Sequence, residues 1–135
     1  MIYVLDTNVI SDAMHNQTAV RTHIHANQAA TIYLCAPVDY EIQRGLLRKR
    51  ATAQLRLYKN VVRPQFQWQP LTDDDWQQTA QLWANAVSKG RQLSDIDLLV
   101  AAIALRLDAT IVTADDDFDA LPVKRVNLRE PPPKK

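Results

Sequence analysis

The chain reads as an α/β domain, a parallel and twisted sheet of about four or five strands flanked by helices. Two observations predict it. Apolar runs too short for helices recur at Met1–Leu5, Thr31–Cys35 and Ala109–Thr113. They are rich in β-branched and aromatic residues, as buried strands are. Between them lie longer segments with apolar residues at helical spacing, and strands alternating with helices build a helix-covered parallel sheet.

The totals agree with one globular domain. At 135 residues the chain can bury roughly two-thirds of its unfolded surface. A composition 47% hydrophobic and 23% charged argues against disorder. A net charge of +1 gives no global attraction to nucleic acid, so any basic surface has to be local. The single cysteine, Cys35, rules out an intrachain disulfide and a cysteine zinc site, and its apolar setting predicts a reduced core thiol. The start lacks the basic segment of a signal peptide, and the longest apolar run, Leu98–Leu105, is too short to span a bilayer. A cytoplasmic protein is expected.

The elements follow in order. After the first strand, Val9, Ile10, Ala13 and Met14 mark a short helix, and Val20 and Ile24 mark another over about 18–28. His23 and His25 stand two apart there, so they point to different sides and make poor joint metal ligands. The strand Thr31–Cys35 closes at Ala36-Pro37, where Pro37 opens a helix carrying Glu41, Ile42 and Leu46. A further helix is expected over about 51–62, and Phe66 and Trp68 alternate with polar residues as a short strand does. Thr72 and Asp73–Asp75 open the next helix, acids suiting the positive end of its dipole. Its stripe Trp76, Ala80, Trp83 and Val87 is read as core, and Ser88-Lys89-Gly90 ends it. The helix 94–107 is apolar nearly all round and should be buried on most sides. Val123–Leu128 supplies an edge strand. Residues 1–128 form the expected domain, and the Pro/Lys-rich 129–135 has nothing to bury and is expected to be a mobile tail.

Acids follow the strands. Asp6, Glu41 and Asp115 each come within a few residues of an apolar strand, which in a parallel sheet sets them at the same carboxyl edge. Asp97, in the first turn of the buried helix, is a fourth. Each has an ordinary explanation. Asp6 or Thr7 can cap a helix, Asp97 is the third residue after a Ser94 cap, and Asp115–Asp117 can be a polar turn. Four acids at one edge are harder to dismiss, because they repel and raise one another's pKa unless a cation is present. Oxygen donors without histidine or cysteine favour Mg²⁺ or Mn²⁺ over zinc.

At these motifs the sequence resembles the PIN-domain ribonucleases, and within them the VapC-type toxins of bacterial toxin–antitoxin modules. The matching pieces are Leu5-Asp6-Thr7-Asn8-Val9-Ile10-Ser11, Tyr40-Glu41-Ile42-Gln43-Arg44-Gly45, Asp97-Leu98-Leu99-Val100-Ala101-Ala102 and Thr113-Ala114-Asp115 with Asp117-Phe118. The resemblance implies metal-dependent cleavage of RNA, tRNA or another structured RNA being within the class. It implies Asp6 and Asp97 as main ligands of one or two ions, with Glu41 and Asp115 completing the site. Asn8 and Thr113 are expected to orient the carboxylates, as outer partners of metal ligands do. Three consecutive aspartates leave the last acid open among Asp115, Asp116 and Asp117; the spacing from Thr113 favours Asp115. The resemblance further implies a homodimer restrained by a small antitoxin protein.

Between Ile42 and Thr72 there is no acid, while Arg44, Arg48, Lys49, Arg50, Arg56, Lys59 and Arg63 make a local basic block. Glu41, Arg44 and Arg48 share one helical face, so Arg44 and Arg48 are expected to flank the acids and hold RNA phosphates. A solvated helix face is the competing reading. Two other functional classes compete: a catalytically silent module binding RNA or protein, and a phosphotransferase with Asp6 as nucleophile. The second wants another aspartate where this chain has Asn8.

Overall fold

Strand β1 (Ile2–Leu5) runs through the middle of a five-stranded, all-parallel sheet in the computed structural model, which describes residues 1–15 and 30–127. With β2 (Thr31–Cys35), β3 (Gln67–Gln69), β4 (Thr110–Thr113) and β5 (Lys124–Asn127), the order is β3-β2-β1-β4-β5. Val4 pairs with Tyr33 on one side and with Ile111 on the other. Central β1 is apolar throughout and mostly buried rather than alternating, as central parallel strands are, whereas the edge strands β3 and β5 carry exposed polar residues. The short strand expected around Phe66 and Trp68 and the edge strand expected from Val123 are both present, as β3 and β5 at the two edges. The expected helix over 18–28, with His23 and His25, and the tail lie outside the described residues.

The chain moves outward from β1 to β3, then returns to place β4 on the other side of β1. This reversal of winding opens a crevice beyond the carboxyl ends of β1 and β4, where parallel sheets hold their ligands. Helix α1 (Thr7–His15) leaves directly from β1, and α2 (Ala36–Arg48) leaves from β2 with a proline in its first turn. Next, α3 (Thr52–Leu57) continues through a wider π-type turn, Tyr58–Val62, whose Tyr58 is buried and donates its hydroxyl to Asp39 at 2.7 Å.

Two helices pack against each other, α4 (Asp73–Ser88) and α5 (Asp95–Leu107). The α5 helix is buried from Leu98 to Ala104, as its sequence predicts. Thr72 caps α4 reciprocally: its hydroxyl accepts from the Asp75 N–H at 3.2 Å, and Asp75 accepts from the Thr72 N–H at 2.9 Å. Asp75 is only 1% exposed and takes two hydrogen bonds from Arg106 of α5, at 2.8 and 3.0 Å.

That arrangement corrects the reading of α4. The inward stripe is Asp75, Thr79, Leu82 and Ala86, while Trp76 and Trp83 are 55% and 51% exposed and Val87 is exposed too. Both stripes have the same spacing and differ by one residue, a rotation of about 100°. Periodicity cannot choose between them. The Arg106 bond draws Asp75 inward and turns the tryptophans out. Arg63 of the basic block also departs from a solvated face: it lies 3.6 Å from Asp39 and stacks 4.7 Å above the Trp68 ring.

Candidate functional site

The acids meet at the crevice. A cleft of about 500 Å³ is lined by Asp6, Glu41, Asp97, Asp115 and Asp117, with Asn8 and Ser94 among its other walls. Each acid arrives from a different element. The β1–β4 ladder extends one residue past β1, the Asp6 N–H donating to the Val112 carbonyl at 2.9 Å, so the Asp6 backbone is fixed by the sheet. Glu41 stands in the second turn of α2, Asp97 in the first turn of α5, and Asp115 and Asp117 in the turn after β4.

Asp6 is 3% exposed and both of its oxygens are held. The Thr7 N–H donates to Oδ1 at 2.8 Å, and the Thr113 hydroxyl donates to Oδ2 at 2.9 Å. The same hydroxyl accepts from the Asp115 N–H at 3.2 Å. Asn8 spans the crevice: its amide donates to Asp115 Oδ2 at 2.7 Å and its carbonyl accepts from the Ala114 N–H at 3.1 Å. Asn8 and Thr113 therefore tie the ends of β1 and β4 together. The Thr7 hydroxyl is buried without a hydrogen-bond partner beside them.

Among the three consecutive aspartates the turn makes a choice. Asp115 and Asp117 line the cleft, and the Asp117 N–H donates to Asp115 Oδ1 at 2.9 Å. Asp116 is held by the Asn127 amide of β5 at 3.0 Å and does not line it. Asp117 is thus a further acid at the site that the sequence left unselected. The sequence left the choice among the three open, because the Asn127 bond that turns Asp116 away comes from the last strand.

Electrostatics follow from burial and crowding. Desolvation pushes the Asp6 carboxyl up to about 6 against the Thr113 and Thr7 hydrogen bonds, and the charges of Asp115 and Glu41 add to the rise. Desolvation also raises Asp97, to about 7, helped by the negative charges of Asp6, Asp117 and Asp115 and opposed by the Ser94 hydroxyl. Both groups would be relieved by a cation. The donors are all hard oxygens, which fits Mg²⁺ or Mn²⁺. Among the described residues, no three carboxylate, imidazole or thiol groups close on one point.

Arg44 and Arg48 part company. Arg44 lies 3.3 Å from Glu41 and 5.1 Å above the Tyr40 ring; it lines a neighbouring groove rather than the acidic cleft, which it reaches through Glu41. Arg48 is exposed at the far end of α2, seven residues or about 10 Å along the helix from Glu41, and does not line the cleft. Among the described residues, no helix is long and apolar enough to cross a membrane.

The fold has close counterparts among solved structures. One chain of VapBC2 from Rickettsia felis, bound to a promoter DNA fragment, superposes with a TM-score of 0.87 at 22% identity, covering 94% of this chain and 98% of that one. For FitAcB from Neisseria gonorrhoeae the values are 0.79, 25%, 96% and 99%. For VapBC-5 of Mycobacterium tuberculosis, a member of the VapBC family of toxin–antitoxin systems, they are 0.64, 23%, 93% and 98%. No curated protein sequence matches significantly. The family model of the PIN domain matches residues 3–124, nearly the whole described chain and all of the cleft. The chain belongs to the PIN-domain family.

Proposed function

We propose that this protein is a divalent-metal-dependent endoribonuclease, the VapC-type toxin of a toxin–antitoxin pair. The observation that carries the reading is the convergence of Asp6, Glu41, Asp97, Asp115 and Asp117 on one cleft, with Asp6 and Asp97 raised by burial and mutual repulsion. Asp6 and Asp97 would hold Mg²⁺ or Mn²⁺, with Glu41, Asp115 and Asp117 acting directly or through water; one or two ions are compatible with this set. When bound, such an ion lowers the pKa of water and neutralises charge building on the phosphate.

The chain's own groups do the positioning. Thr7 and Thr113 fix both Asp6 oxygens, and Asn8 fixes Asp115. Arg44, stacked on Tyr40 and paired with Glu41 of the cleft, supplies a phosphate contact that carries no sequence information. Similarity to chains of toxin–antitoxin complexes supports a small antitoxin partner; a homodimer belongs to the same proposal.

The test is RNA cleavage by the isolated chain, titrated with Mg²⁺ or Mn²⁺ and then with chelator. Asp6→Asn and Asp97→Asn should be folded and inactive. A wild-type chain that binds no divalent ion by calorimetry ends the catalytic reading. Salt-sensitive RNA binding indifferent to chelator and to Asp6→Asn would identify a silent binding module instead.

A further inference from the structure

A pocket of about 350 Å³ on the β3 side of the sheet takes no part in the cleft. Its walls are Leu34 of β2, Lys59 of the π-type turn, and Arg63, Pro64, Phe66 and Trp68 of the segment running into β3. Helix α2 stands between the two sites. Asp39 contacts the pocket's Arg63, while Glu41, two residues on and about 200° round the helix, lines the cleft.

The lining joins positive charge to aromatic rings, and among the described residues no acid lines it. Lys59 is exposed and makes neither a side-chain hydrogen bond nor an ion pair among the described residues. Arg63 is placed from two sides, 3.6 Å from Asp39 and 4.7 Å over the Trp68 ring. The Asp39 oxygens already accept from Tyr58 at 2.7 Å and from Gln43 at 3.0 Å, which leaves the guanidinium donors for a ligand. Trp68 is 42% exposed. The turn that carries Lys59 is a single π-type turn, a form often found at functional sites.

We infer that this pocket holds one unpaired nucleotide of an RNA strand. Lys59 takes the phosphate, and Trp68 with the Arg63 guanidinium forms the platform on which the base stacks. The inference rests on the RNA substrate proposed above and gives that RNA a second point of attachment, across α2 from the acids. Bases stack on indole rings and on guanidinium planes, and a lysine binds phosphate whatever the sequence. A base inside a duplex presents no free face, so the pocket selects a single-stranded segment or loop. An acidic peptide would satisfy the two cations but leaves the exposed indole without a use.

Anisotropy of a short, labelled single-stranded RNA with the full chain in chelator tests this. Without a divalent ion the cleft's carboxylates repel phosphate and nothing is cut, so binding reports surfaces outside the cleft. Trp68→Ala should weaken binding by about 5- to 150-fold, as loss of one base-stacking ring does. Trp68→Phe should restore most of it. Lys59→Gln, a surface change independent of the edge strand, should lower the salt slope by about 0.7, the share of one phosphate on a single strand. A wild type that binds no RNA in chelator, or RNA binding indifferent to both Trp68→Ala and Lys59→Gln, overturns the proposal. Displacement at equal affinity by a nucleoside 5′-monophosphate would reassign the pocket to a free nucleotide, and by a poly-aspartate peptide to an acidic protein; either overturns it. Calorimetric Mn²⁺ binding should be the same in wild type and variants. A wild type that binds RNA through this pocket but takes no Mn²⁺ sustains the pocket and ends the nuclease reading. One that cuts RNA with Mn²⁺ yet binds it indifferently to both changes ends the pocket alone.

Discussion

The Thr113 hydroxyl lies 2.9 Å from Asp6 Oδ2 and donates to it, while accepting from the backbone of Asp115 two residues further on. One side chain at the end of β4 thereby sets the direction of a carboxylate at the end of β1. Thr113→Val keeps the shape and removes the hydroxyl. Divalent-ion affinity should fall by about 10- to 100-fold, as when an outer partner of a metal ligand is lost. Calorimetry with Mn²⁺ checks it; unchanged affinity would show that Asp6 needs no such orientation.

Ion binding and pH should be linked. The Asp6 and Asp97 carboxyls titrate near 6 and 7 in the folded chain, against 3.8 for an ordinary aspartate. Between about pH 4 and 7 the folded chain therefore holds protons that the unfolded chain has released, and raising pH through this window removes stability. For Asp6, buried at 3% exposure, the loss is on the order of 3 kcal/mol. In chelator, Tm should fall as pH rises from 5 to 8; Mg²⁺ or Mn²⁺ should reverse the fall and bind more tightly as pH rises. Scanning calorimetry at several pH values reads both. A flat profile would mean that neither acid is strained.

Arg106 bonds Asp75 twice and also reaches the Pro70 carbonyl at 3.2 Å. Arg106→Ala leaves a buried carboxylate with only its cap. Stability should drop by about 2–4 kcal/mol, measured by urea unfolding. Ion binding at the cleft should be retained, since neither residue lines it.

Arg44 should matter to RNA and Arg48 much less. Arg44→Ala is expected to weaken RNA binding across sequences and to reduce the salt slope by about one unit. Filter binding at several salt concentrations compares the two variants. Equal effects would mean that the whole basic face binds.

Cys35 is fully buried at the end of β2, and desolvation pushes its thiol up to about 12. A thiol-specific reagent should label it only in denaturant. Labelling of the native chain would indicate local opening of the sheet beside Asp6.

Much of this was legible beforehand because each signal was local. Strand runs ending at Asp6 and Asp115, the proline opening α2 and the Ser94 cap announce the elements, and parallel pairing alone brings the acids to one edge. Two features were not legible because they depend on partners distant in sequence. The inward face of α4 is chosen by Arg106, 31 residues beyond Asp75, and Asp116 is turned from the cleft by Asn127, 11 residues beyond it. The distance of Arg48 from the acids was legible but easily overlooked: a shared helical face does not bring both ends of the helix to one place.

The reversal of winding at β1 and β4 has a consequence for how the site comes into being. Its carboxylates are drawn from residue 6 to residue 117, and the turn that presents the last two is pinned by Asn127 on the final strand. No early fragment of the chain contains the cleft. A chain that stops before β4 and β5 lacks Asp115, Asp117 and the Asn127 bond that orients their turn, and so cannot close the cleft.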